Sequence, residues 1–218
     1  MRIGFISQGA VGAFLKTYEE EKTDILLFCL RSLGEVSYEK ELKGETAYFE
    51  DVARLSKKAK STVVCGCITD TKGHKRESVI VAENGRIAGV SDRINAIDGE
   101  IGSGAGLRIY PTNAGRMGIV VGEDLRFPEV LRALSTCGSD FIVCPFATAG
   151  DKTLMLIRAH AYCYGIPVLL CADGYCAVAD TSGNIAFSSP QSPSFVDICL
   201  TKEYHLVETR QKFVRSSL

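Results

Sequence analysis

The chain has 218 residues, 46% hydrophobic and 23% charged, the composition of an ordinary globular protein. Its 25 Lys and Arg against 26 Asp and Glu leave a formal net charge of −1, so no basic excess marks a nucleic-acid binder. The longest apolar runs, 25–30 and 166–172, fall well short of the ~18 residues that a membrane helix needs, so no membrane partner is expected. Residues 1–7 carry a single Arg followed by strand-like residues and lack the regions of a signal peptide, which predicts a cytoplasmic protein.

In chain order, apolar strands are predicted at 2–7, 24–29 and 62–69. An amphipathic helix at 45–59 precedes the third, with Tyr48, Val52, Leu55 and Ala59 at helical spacing and Lys57, Lys58 and Lys60 at its end. A hairpin follows, 77–82 and 86–90, turned by Asn84-Gly85. Residues 91–106, rich in Gly, Ser and Asp, read as a surface loop. The run Gly102 to Gly106 is not a phosphate cradle, because a strand and not a helix follows it. A strand at 107–110, a turn at 111–113 and a strand at 116–121 lead to a helix that starts at Pro128, since Pro suits the first helical position. Further on come a strand at 140–144, a helix at 152–164, a strand at 167–172, a hairpin of 175–179 and 185–187, and a strand at 195–200 beside it. Residues 203–218 read as a polar C-terminal tail. Alternating strands and helices with interposed hairpins predict one α/β domain, 1–202, with mixed sheets and helices outside.

The nine cysteines fall mostly inside apolar runs; their number is odd and no CxxC pair occurs. They are expected as reduced, buried thiols, with no metal site and no cofactor. Cys65 and Cys67 alternate along a strand and share one face. His160 lies mid-helix and reads as a satisfied structural residue.

One stretch stands out: Gly115-Arg-Met-Gly-Ile-Val-Val-Gly-Glu-Asp-Leu-Arg-Phe-Pro-Glu129. A hydrophobic strand ends in small and acidic residues and a helix begins at once, which is where α/β proteins place active sites. Asp124 and Arg126 are placed to pair at this turn, and Glu129 suits the helix N-terminus. A plain structural corner fits these residues equally well.

This stretch resembles the signature of the nitrilase superfamily, the carbon–nitrogen hydrolases, and so do the runs 133–145, 158–168 and 180–183. The resemblance implies an α-β-β-α sandwich that dimerises, and hydrolysis of amides or nitriles by a Glu–Lys–Cys triad. It also puts Leu30 at the position of the family's general base, Arg93 at its lysine and Gly122 at its cysteine. Leucine cannot take a proton and glycine cannot form a thioester, whereas Arg93 keeps a charge in a different shape. A further family glutamate is matched most nearly by Glu100.

Three functions stay open on this basis. The first is a non-hydrolytic binder of a small carboxylate or amide, or a homodimeric interaction protein. The second is a hydrolase with a relocated site, Cys144 as nucleophile with Glu123, Asp124 or Glu100 as base. The third is a partner subunit for an intact homologue.

Overall fold

The computed structural model describes residues 1–97, 99 and 101–201. The elements run β1 (Arg2–Ile6), α1 (Val11–Thr17), β2 (Ile25–Phe28), β3 (Glu35–Ser37), α2 (Tyr38–Leu42), α3 (Tyr48–Ala59), β4 (Thr62–Thr71), β5 (His74–Glu83) and β6 (Arg86–Asp92). The second half holds β7 (Ile109–Thr112), β8 (Gly115–Ile119), a 3-10 turn (Gly122–Arg126), α4 (Pro128–Thr136), β9 (Phe141–Pro145), α5 (Asp151–Tyr164), β10 (Val168–Ala172), β11 (Tyr175–Ala179), β12 (Ile185–Ser189) and β13 (Ser194–Asp197).

Two mixed sheets result. The first has the order β13-β1-β2-β4-β5-β6, with β3 also on β4, and the second β12-β11-β10-β9-β8-β7. The parallel neighbours are β1, β2 and β4, with β3 on β4, in one sheet and β8, β9 and β10 in the other. Hairpins extend the first sheet on the β4 side and the second on both sides.

Strand alternation divides the apolar residues into layers. Ile3, Phe5, Ile25, Leu27, Val79 and Val81 of the first sheet meet Met117, Ile119, Phe141, Val143, Leu169 and Val178 of the second in a shared core. Their neighbours face outward. Leu26, Phe28, Val63, Cys65 and Cys67 pack with Val52 and Leu55 of α3, and Ile142, Cys144, Val168 and Leu170 with Leu131, Leu134 and Ile157 of α4 and α5. The architecture is therefore the expected α-β-β-α sandwich. Both faces of each sheet are covered, which explains why the central strands read as near-continuous apolar runs. Cys65 and Cys67 do share one packed face, and burial raises the Cys67 thiol to about 12.

Turn chemistry fixes the register. Asn84 and Gly85 both have positive φ, 53° and 80°, the mirror-image turn that Asn-Gly favours. Lys72 and Gly73 make the same kind of turn between β4 and β5, at φ 52° and 84°, so that hairpin is longer than predicted. Pro111 lies inside β7 and not in a turn; β7 is the edge strand, where a missing N–H costs no ladder bond. The segment forming β3 and α2 carries no strong periodic signal and was not predicted. The predicted strand at 195–200 also belongs elsewhere. β13 pairs antiparallel with β1, Phe195 against Gly4, in the opposite sheet from β12. The tail at 203–218 lies outside the described residues, within which no helix is long and apolar enough to cross a membrane.

The 3-10 turn is held from below by α5. The buried His160 donates from Nε2 to the Leu125 carbonyl at 2.9 Å and stacks on Tyr164. Burial lowers its pKa from 6.5, with the Leu125 bond acting the other way. The fold therefore favours neutral imidazole, and the unfolded chain binds the extra proton. This contribution is full above the ordinary histidine value and is lost as pH falls through and below it. Urea unfolding compared at about pH 7.5 and about pH 5.5 should show stability falling on acidification, with a smaller fall in His160→Gln.

Candidate functional site

The site is built where strands of both sheets end. β2 runs out into Cys29 and Leu30, β6 into Arg93, and β8 through Val120 and Val121 into Gly122. These three exits converge. Gly122 has φ +51°, a conformation that L side chains rarely adopt. A Cβ placed there would lie 3.0 Å from Cδ2 of Leu30 and 3.5 Å from Oε2 of Glu77. Leu30 is 2% exposed and its side chain fills the space in front of Gly122. Leu30 is itself clamped, its N–H donating to Phe146 at 3.1 Å, while its backbone presses on Gly66, where any side chain would meet the Leu30 carbonyl at 2.3 Å.

The cation of the site is tied inward. Arg93 Nη1 meets Glu77 Oε2 at 3.0 Å, with side chains only 6% and 12% exposed. The Arg93 N–H also donates to the Glu77 carbonyl at 2.8 Å. At that depth each charge needs the other, because an unpaired buried ion costs several kcal/mol.

Asp124 holds the loop that carries Arg93. Its carboxylate, 1% exposed, accepts from Ile94 N at 2.7 Å, Asn95 N at 2.8 Å and Asn95 Nδ2 at 3.1 Å. Asp124 thus fastens the end of one sheet to the end of the other. The expected Asp124–Arg126 pair does not form: Arg126 pairs with Glu123 across one turn at the surface, since the 3-10 geometry turns Asp124 inward and Arg126 out. Pro128 and Glu129 open α4 as predicted.

The remaining candidates fall outside this convergence. Cys144 is at the expected strand end, close enough to Asp124 and Glu123 for their charges to act on it, but it faces the helix layer. It is fully buried, and burial first, then those two carboxylates, push its thiol upward. A thiol held protonated and away from solvent is a poor nucleophile. Inward-facing residues on β9 are Phe141 and Val143, so alternation alone assigns Cys144 to the wrong face for attack. Glu123 is occupied by Arg126. Glu100 lies outside the described residues.

Glu77 was missed by the sequence reading. Its signal is positional: it lies two and four residues before Val79 and Val81, which face the shared core, so alternation turns an acid inward.

The carbon–nitrogen hydrolase family model matches residues 25–198. The chain belongs to that family. A Schizosaccharomyces pombe protein named a probable nitrilase is 28% identical over 112 residues, 47% of this chain and 40% of the relative; the match spans well under half of that relative's length. An alanine variant of an amidase of the nitrilase superfamily from Nesterenkonia AN1 superposes with a TM-score of 0.77 at 17% identity, covering 100% of this chain and 97% of the other. A Saccharomyces cerevisiae member of branch 10 of the superfamily gives 0.75 at 16% identity, covering 98% and 94%. At such identities the structural likeness is one of fold. The fold of these carbon–nitrogen hydrolases is thus shared over nearly the whole chain.

The contact between Leu30 and Gly122 has a measurable consequence. Gly122→Ala should lose about 1–3 kcal/mol in urea unfolding, from left-handed backbone and close contact together. Leu30→Ala removes the opposing methyls, so the double variant should lose less than the two single losses added. Strict additivity would mean that Leu30 does not fill that space.

Proposed function

We propose that this chain is a non-hydrolytic member of the carbon–nitrogen hydrolase family, acting as a small-molecule-binding or dimeric interaction protein. One observation carries this reading. The space in front of Gly122 is occupied by the apolar Leu30, and Arg93 beside it is already neutralised by Glu77. In glutamate-substituted variants of the Nesterenkonia amidase, acrylamide and the acetamide moiety of fluoroacetamide add at the active site cysteine. The resemblance assigns such a sulfur to the Gly122 position, which has none to offer. Thioester chemistry needs a thiol and a base to take its proton, and a leucine supplies neither. Losing groups that act as a unit removes roughly six orders of magnitude in rate. No observation favours Cys144 in its place, since its burial in the helix layer withholds it from substrate.

The interaction half of the proposal has its own support. Met155 and Tyr162 stand exposed two turns apart on one face of α5, 62% and 58% accessible, and are apolar groups that a dimer contact would cover.

The test is ammonia release from a panel of aliphatic and aromatic amides by the purified chain. No release above buffer is expected from wild type, nor any acyl adduct by intact mass. Turnover that rises in proportion to protein concentration and persists through successive purification steps would overturn the proposal.

A further inference from the structure

A cavity of about 270 Å³ is lined by Cys29 and Arg31, the residues on either side of Leu30 in the chain. It lies where β1 and β2 of one sheet and β9 and β10 of the other end, the crevice at which open α/β sheets take ligands. Its lining includes Gly9, Cys29, Arg31, Ser32, Thr148 and Asp173. The walls are stitched together by main-chain bonds: Asp173 N to the Ala147 carbonyl at 3.0 Å within the second sheet, and Gly174 N to the Ser7 carbonyl at 3.1 Å and Leu30 N to the Phe146 carbonyl at 3.1 Å between the two sheets. The cavity is thus pre-formed, as small-molecule sites usually are.

Some exposed opposite charges of this chain meet, as in Arg2 with Glu21 and Asp197, Arg54 with Glu50, and Lys75 with Glu35. Arg31 and Asp173 line one small cavity, yet among the described residues neither has an ion pair or a side-chain hydrogen bond. Arg31 presents a planar fork suited to a carboxylate. Asp173 presents an acceptor-only carboxylate suited to an ammonium. Between them the floor is formed by buried Cys29 and Ser32, and the Ser32 hydroxyl is engaged with the Gly66 carbonyl at 3.3 Å.

We infer that this cavity binds a small zwitterion of the α-amino-acid class, its carboxylate on Arg31 and its ammonium on Asp173. The inference deepens the proposed function and rests on it in one respect: the ligand is held and released unchanged. A molecule with both charges replaces two separately solvated groups by two complementary contacts. A molecule with one charge would leave the other rim group without gain.

Amide resonances of the full chain, followed by two-dimensional NMR during titration, test this. The probes are glycine, L-alanine, L-serine and L-asparagine, with acetate and ethylammonium as single-charge controls. Saturable shifts of Cys29, Ser32, Thr148 and Asp173 are expected for at least one amino acid and for neither control. Arg31→Met and Asp173→Asn, both at the rim, should each weaken the apparent Kd about tenfold or more. Shifts for none of the four amino acids, equal shifts for a control, or an unchanged Kd in both variants would overturn the inference. The two ideas fail separately. Ammonia release from L-asparagine, with binding intact, would contradict the non-hydrolytic reading alone, whereas no binding and no turnover would contradict the zwitterion site alone.

Discussion

The corner of this molecule is organised by a buried ion pair. Glu77 and Arg93 meet between the ends of β5 and β6, with almost no solvent to share the charge. Such a pair is weak evidence for extra stability, because desolvation offsets much of the attraction. It is strong evidence for constraint, since Arg93 cannot be removed or redirected without leaving the buried Glu77 carboxylate stranded. Everything adjacent follows from it. Arg93 cannot swing outward, the Asp124 carboxylate fixes the next two residues by three hydrogen bonds, and Leu30 closes the remaining space over Gly122. The guanidinium that might have polarised a substrate carbonyl is spent on an internal carboxylate.

The long signature around residues 115–129 can be understood in structural terms without invoking a reaction. Gly115 and Gly122 adopt positive φ where β8 begins and where the 3-10 turn starts. Asp124 ties the two sheets together, and Arg126 pairs with Glu123. Pro128 starts α4. His160 of α5 holds the turn through the Leu125 carbonyl. These residues thus have partners in the fold, and the motif serves the architecture at this corner.

Much of the architecture was legible because it rests on local rules. Asn84-Gly85 dictated a tight hairpin, Pro128 a helix start, and the apolar strands a doubly covered sheet. What was not legible depends on tertiary pairing. The segment Phe195 to Asp197 looks like a neighbour of the hairpin before it, yet its partner is β1, almost the whole chain away. Pro111 reads as a turn residue until β7 is known to be an edge. At the site, Leu30, Arg93 and Gly122 came from the resemblance and do converge in space. Cys144 was placed at the correct strand end and on the wrong face, an error that the two-residue period of β9 could have prevented. Glu77 was visible only as an acid in the inward register of β5, and its partner could not be named from sequence.

The central claim is that the Arg93 charge is committed to Glu77 and serves the fold. A double-mutant cycle in urea unfolding tests it most directly, using Glu77→Leu, Arg93→Met and the pair together. Each single variant should lose about 3–5 kcal/mol, because it strands a buried ion, and the double variant should lose far less than the sum. Two small losses that add to within about 0.5 kcal/mol would contradict the account. Arg93 would then not depend on Glu77 for its place in the fold.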